Sequence, residues 1–130
     1  MTVHAAAALP AQSTDVFGRS WAGRQVAVVG LGRSGVAAAG LLRRAGAHVR
    51  LTEARDTETL RGLRASLLAE GMEHVELGRH TRRLLDGLDA LVVSPGVPES
   101  AQPLQWAAEQ GVPVLSEIEL AFLFCPCPVI

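Results

Sequence analysis

Gln25-Val26-Ala27-Val28-Val29-Gly30-Leu31-Gly32-Arg33-Ser34-Gly35 is the stretch that decides the fold. Its first five residues form a continuous apolar run rich in β-branched side chains, as a strand buried on both faces requires. The next six fit the pattern G-x-G-x-x-G. Residues 34–45 then read as a helix, with Val36, Ala37, Leu41 and Ala45 as its inward stripe and Gly46 as its stop. The position between a strand and a helix gives the glycines a physical meaning. Gly30 permits the tight turn, Gly32 lets the backbone approach a phosphate, and Gly35 lets helix pack against strand. Free N–H groups at the helix N-terminus, aided by the helix dipole, then face the anion. Ser34 can add a hydroxyl donor and Arg33 a charge.

The same alternation continues outward. Residues 47–52 read as a second strand and 57–69 as a second helix, with Leu60, Leu63, Leu67 and Leu68 on one stripe. Residues 73–77 form a short third strand, 81–85 a short helix and 90–94 a fourth strand. Residues 101–110 form a helix stopped by Gly111, and 113–115 a fifth strand. Ser116-Glu117-Ile118-Glu119 matches a capping box, so a helix starts there and runs to about Phe124. Strands alternating with helices at this spacing form a parallel sheet with right-handed crossovers. The expected fold class is therefore α/β: a Rossmann-like five-stranded parallel sheet of order 3-2-1-4-5, with helices on both faces. One domain spans residues 23–127 on this reading. Residues 1–22 lack sustained periodicity and read as a poorly ordered or loosely packed leader. Pro128-Val129-Ile130 reads as the opening of a further buried strand, cut short against the usual length of about five or six residues.

Composition narrows the function. The chain has 130 residues, is 48% hydrophobic and carries a formal charge of −1. A domain of that size buries roughly two-thirds of its unfolded surface, enough for a core without disulfides. All 12 basic residues are arginine. That excludes a Schiff-base lysine, a lysine general base and a phosphate-loop lysine from these residues. The near-zero charge leaves no footprint of a nucleic-acid binder, and no apolar run approaches about 18 residues, so neither nucleic acid nor membrane is an expected partner. No basic residue precedes the short apolar stretch after Met1, which argues against a signal peptide. Cys125 and Cys127 flank Pro126 too tightly for an unstrained disulfide and are too few for zinc. They read as small buried hydrophobes, with no metal site and a reducing cytoplasm expected.

Two further segments point to a ligand. Glu53 closes the second strand near the spacing at which dinucleotide folds place a ribose-binding acid. Glu53-Ala54-Arg55 also suits uracil, whose N3–H is flanked by two carbonyls. Glu53 can accept that N–H, while the Ala54 N–H or the Arg55 guanidinium serves a carbonyl or lies against the ring. Glu53 is expected to be exposed, so that its removal leaves stability nearly unchanged. Ser94-Pro95-Gly96-Val97-Pro98 leaves the strand expected beside the first, across the switch point from the glycine loop. Two prolines stiffen this loop, and Gly96 permits positive φ or close backbone approach. His4, His48, His74 and His80 show no metal-ligand spacing and read as surface or strand-edge residues. Trp21 and Trp106 read as packing residues, and Arg82 and Arg83 as a solvated helix face.

Together, residues 28–35, Leu51-Thr52-Glu53-Ala54-Arg55, Val93-Ser94-Pro95-Gly96-Val97-Pro98 and Ser116-Glu117-Ile118-Glu119-Leu120 resemble the N-terminal domain of the Mur ligases. The resemblance covers residues 24–130 and is nearest to the D-glutamate-adding branch. It implies that the diphosphate of a UDP-sugar lies on Gly32, Arg33 and Ser34, with Gly30 and Gly35 shaping the loop. It implies that Glu53, Ala54 and Arg55 grip uracil, and that Ser94, Pro95 and Gly96 lie along the sugar. The implied substrate is UDP-N-acetylmuramoyl-L-alanine, whose carboxylate the full ligase activates with ATP before the amine of D-glutamate attacks. On this resemblance ATP and magnesium belong to a second domain, whose lysine-bearing phosphate loop would follow the strand opening at Val129. The residues in hand are then expected to hold substrate, with no cofactor and no catalytic residue. The family often has Asp-Thr-Arg where this chain has Glu53-Ala54-Arg55, so the carboxylate is one methylene longer and Ala54 offers only its backbone N–H. Two other readings stand beside this one. One is an NAD(H)-binding domain of an oxidoreductase, for which no residue cluster supplies a hydride-transfer site. The other is a stand-alone nucleotide-sensing module.

Overall fold

The β-branched run Gln25–Val29 becomes β1, the central strand, and Val26, Ala27, Val28 and Val29 are all buried. The computed structural model describes residues 21–124, and the side chains of residues 21–120. Around β1 the chain forms α1 (Arg33–Arg44), β2 (His48–Glu53), α2 (Glu58–Ala69) and β3 (His74–Leu77). A single 3₁₀ turn (Arg82–Leu85) leads into β4 (Ala90–Val93), α3 (Gln102–Gln110), β5 (Val114–Ser116) and α4 (Glu117–Phe124). The sheet is parallel throughout, in the expected order β3-β2-β1-β4-β5. Boundaries agree with the sequence reading to within one residue or so. Most of the expected leader, Cys125, Cys127 and the strand opening at residues 128–130 lie outside the described residues.

Local chemistry fixes the ends of the helices. Thr57 caps α2 by accepting a hydrogen bond from the Leu60 N–H at 3.1 Å. The capping box at α4 is complete. Ser116 Oγ accepts from the Glu119 N–H at 3.0 Å, and Glu119 Oε1 accepts from the Ser116 N–H at 2.7 Å. Gly111, at φ +73°, ends α3 in the left-handed region.

The core has two layers, one on each face of the sheet. Val26, Val28, Val49, Leu51 and Val92 pack with Ala38, Ala39 and Leu42 of α1, Leu60 and Leu67 of α2, and Leu120 of α4. On the opposite face Ala27, Val29 and Leu91 pack with Leu84 and Leu85 of the 3₁₀ turn and Ala107 of α3. Trp106 packs against this second layer, as expected, and the Arg82 guanidinium lies 5.2 Å from its ring centre while pairing with Glu109 at 3.1 Å. Trp21, assigned by sequence to the leader, is buried in the first layer.

Two helix stripes differ from expectation. In α1 the buried set is Gly35, Ala38, Ala39 and Leu42, whereas Ala37 is exposed. The run Val36–Leu42 is apolar nearly all round, so periodicity alone does not fix which side turns inward. Gly35 fixes it by packing against the backbone of Gly30. In α2 Leu68 is 45% exposed, because Leu60, Leu63 and Leu67 fill the face toward the sheet.

The packing of Trp21 carries a test. Trp21→Ala should cost about 3–5 kcal/mol, the range for emptying a buried tryptophan site. Urea unfolding followed by circular dichroism measures it, and an unchanged midpoint would place Trp21 outside the cooperative core.

Candidate functional site

The register of the central strands creates the site. Val29 stands beside Thr52 of β2 and beside Val93 of β4. The next residue on each strand or loop, Gly30, Glu53 and Ser94, therefore meets the others at the carboxyl edge of the sheet. The connections leaving β1 and β4 diverge there, which opens a crevice. The cleft has a volume of about 670 Å³. Gly32 and Ser34 line it from the glycine loop, Glu53, Ala54 and Arg55 from the end of β2, and Ser94, Pro95 and Gly96 from the loop after β4. The structure thus brings all three expected segments to one crevice.

The glycines play two different parts. Gly30 has φ +107°, and a Cβ on it would sit 2.6 Å from Ser94 Oγ. A Cβ on Gly35 would sit 2.0 Å from the carbonyl oxygen of Gly30, a contact that no side chain could relieve. Both are required by the fold. Gly32 is different: its φ is −85°, and a Cβ there would meet nothing within 4 Å. Gly32 is also the N-cap of α1, and no side chain caps that helix. The first turn of α1 therefore presents unshared N–H groups, and the positive end of its dipole, at the cleft. Arg33 is exposed and does not line the cleft.

Glu53 corrects the sequence reading. It is only 7% exposed. Its Oε1 accepts from the Leu31 N–H at 2.9 Å, and its Oε2 accepts from the Arg55 N–H at 2.9 Å and from Arg55 Nε at 3.1 Å. Burial by itself would raise its pKa, but the Arg55 side chain and the two backbone donors outweigh burial and hold it below the ordinary carboxylate value. The acid at the end of β2 thus braces the glycine loop from below.

Three residues in and around the cleft were not singled out for it by sequence. His80, read as surface, is half-buried and lines the cleft, with Nδ1 2.6 Å from the hydroxyl of the fully buried Thr52. Thr52 itself belongs to this network, reached only once β2 and the loop after β3 come together. Glu117 accepts from Ser94 Oγ at 2.6 Å, so the first residue of α4 orients the hydroxyl of the loop after β4. No spacing rule links residue 80 or residue 117 to the glycine loop. Gly96 keeps an ordinary φ, and a Cβ on it would also point into open space. Its expected positive φ is not needed. Among the described residues no group of three or more His, Cys, Asp or Glu could hold a metal ion.

Residues 24–116 match the family described as Mur ligase MurD-like, N-terminal domain. The UDP-N-acetylmuramoylalanine–D-glutamate ligase of Koribacter versatilis (strain Ellin345) is 44% identical over 108 residues, which is 83% of this chain and 24% of that protein. The enzyme of the same name from Desulfosudis oleivorans is 46% identical over 106 residues, 82% of this chain and 23% of that protein. The chain spans about a quarter of the length of these curated relatives. Among solved structures, the A chain of dipicolinate synthase from Bacillus subtilis superposes with a TM-score of 0.51 at 21% identity, over 82% of this chain and 41% of that one. That likeness is one of fold.

The bracing by Glu53 sets a pH dependence. Its folded pKa lies below its ordinary value of 4.5, so its stabilising contribution is complete above that pH and is lost as pH falls through the folded value. Glu76, also held low against its own burial by Thr81 and His74, adds to the same slope. Glu53→Ala should cost about 1–3 kcal/mol at pH 7 by leaving the Leu31 N–H without its acceptor. It should also flatten the acid limb of a stability-against-pH curve measured by urea unfolding. A variant as stable as the parent would return Glu53 to the exposed role expected from sequence.

Proposed function

The chain belongs to the Mur ligase MurD-like family, as its N-terminal domain, and from that premise we propose that it holds the UDP end of UDP-N-acetylmuramoyl-L-alanine. The observation that carries this reading is the uncapped N-terminus of α1 opening on the cleft, with Gly32 leaving room above it. A diphosphate needs several converging donors, and the N–H groups of the N-cap Gly32 and of Arg33 and Ser34 in the first turn supply them without any cationic side chain. The base lies at the β2 end, against Ala54 and Arg55, with Glu53 fixing the latter. The sugar runs along Ser94, Pro95 and Gly96, where Glu117 holds the Ser94 hydroxyl proton and leaves the serine oxygen free to accept.

The protein's larger task, on this reading, is that named for its relatives, joining D-glutamate to UDP-N-acetylmuramoylalanine, and we place that step in cell-wall precursor synthesis. ATP, magnesium and D-glutamate are handled by the part of such a ligase that the aligned quarter does not include. These residues supply grip and orientation and no reacting group. Among the described residues no helix is long and apolar enough to cross a membrane, and the proposed setting is the cytoplasm.

Calorimetric titration tests the reading directly. UDP-N-acetylmuramoyl-L-alanine should bind, and NADH should not. NADH binding with no response to the UDP-sugar would favour the oxidoreductase reading instead. Gly32→Asp separates fold from function. A carboxylate at the N-cap should stabilise α1, adding about 0.5–1 kcal/mol to unfolding. The same charge would occupy the diphosphate position, so UDP-sugar binding should weaken at least tenfold. Binding that survives the substitution would remove the phosphate from this loop.

A further inference from the structure

We propose that His80 reads the base of the bound nucleotide, donating from Nε2–H to the 4-carbonyl of uracil and so favouring uridine over cytidine nucleotides. The inference rests on the UDP-binding reading given above and adds a specificity residue to it. It starts from position. β3 pairs with β2 on the side away from β1, with Glu53 level with Leu77. The loop that follows β3 therefore meets the cleft at the end formed by Glu53, Ala54 and Arg55, and His80 lines the cleft there.

Several polar side-chain groups at this end are already engaged, while the Ala54 N–H and the outer edge of the Arg55 guanidinium stay open to the base. Both Glu53 oxygens accept from Leu31 and Arg55. The Arg55 N–H and Nε both donate to Glu53. Ala54 has no polar side chain. On His80 itself only Nδ1 is engaged, 2.6 Å from Thr52 Oγ1. Among the described residues nothing pairs with Nε2.

The network also assigns the proton. Thr52 has one hydroxyl hydrogen and two neighbours, His80 Nδ1 at 2.6 Å and Glu76 Oε1 at 3.5 Å. Glu76 also accepts from the Thr81 N–H and the Thr81 hydroxyl. The contact to Nδ1 is the shorter of the two, and we assign it as Thr52 O–H donating to Nδ1, which leaves hydrogen on Nε2. Burial lowers the imidazole pKa, and the charges of Glu76 and Glu53 only partly oppose it, which favours the neutral ring. A neutral ring with a fixed Nε2–H matches a carbonyl acceptor such as O4 of uracil. It mismatches the 4-amino group of cytosine, which presents a donor to a donor. Leaving such a pair unmatched costs more than the matched bond contributes, and that asymmetry is how a single side chain discriminates.

UDP and CDP titrations on the parent chain, His80→Phe and His80→Gln test this, with thermal melts confirming folding. In His80→Phe the preference for UDP over CDP should fall about five- to tenfold, the loss expected for one hydrogen bond. A preference unchanged in folded variants would overturn the role of His80 while leaving the UDP-binding reading intact. A parent chain that binds neither nucleotide would overturn both. Should the variants fail to fold, imidazole ¹⁵N spectra of the parent chain decide. Nε2 should be protonated and shift with UDP more than with CDP, and an unprotonated or unresponsive Nε2 would overturn the inference.

Discussion

A charged carboxylate inside a protein persists only where donors surround it, and Glu53 supplies the constraint on which the rest of the cleft depends. Its position is set by β2, whose register against β1 is fixed by the buried pairs Val26–Val49 and Val28–Leu51. From there it can reach the Leu31 N–H of the glycine loop and the Arg55 N–H of its own turn. One side chain thereby ties the loop leaving β1 to the turn leaving β2. The loop then cannot fold down onto the strand ends, and the N-terminus of α1 stays aimed at open space.

That bracing also sorts the glycines by cause. Gly30 and Gly35 are contact requirements of the fold, because a methyl on either would strike Ser94 or the Gly30 carbonyl. Gly32 and Gly96 answer no such demand. Both keep ordinary backbone conformations, both face room for a side chain, and they line the cleft from its two walls. Packing gives no reason for their bareness. The proposed nucleotide ligand, whose backbone-bound groups would come close to both loops, gives one.

The sequence showed the sheet well because its signals were redundant. β1 and β4 are continuous apolar runs, each followed by a glycine or proline loop, and the capping box at Ser116 appears atom for atom. The order of strands followed from the doubly wound pattern that such an alternation adopts. What escaped depended on contacts distant in sequence. The phase of α1 was hidden because its middle is apolar on every side. Glu53 was placed at the right end of the right strand but given the wrong surroundings, since the Leu31 amide that buries it lies 22 residues earlier. His80 and Glu117 join the cleft only through β3 and β5, and neither strand carries a motif that announces it.

The lack of lysine now has a structural counterpart. The charged groups that line the cleft, Glu53 and Arg55, pair with each other and cancel, and burial disfavours the charged form of His80. Attraction for an anion then comes from peptide N–H groups and the dipole of α1, which are fixed in direction and cannot collapse onto a rival carboxylate as a flexible lysine can. In the proposed UDP-binding role, such a site would hold a diphosphate by geometry more than by net charge. On that proposal it gains little from long-range steering, and the choice among nucleotides falls to the short-range matching of donors and acceptors at the base end.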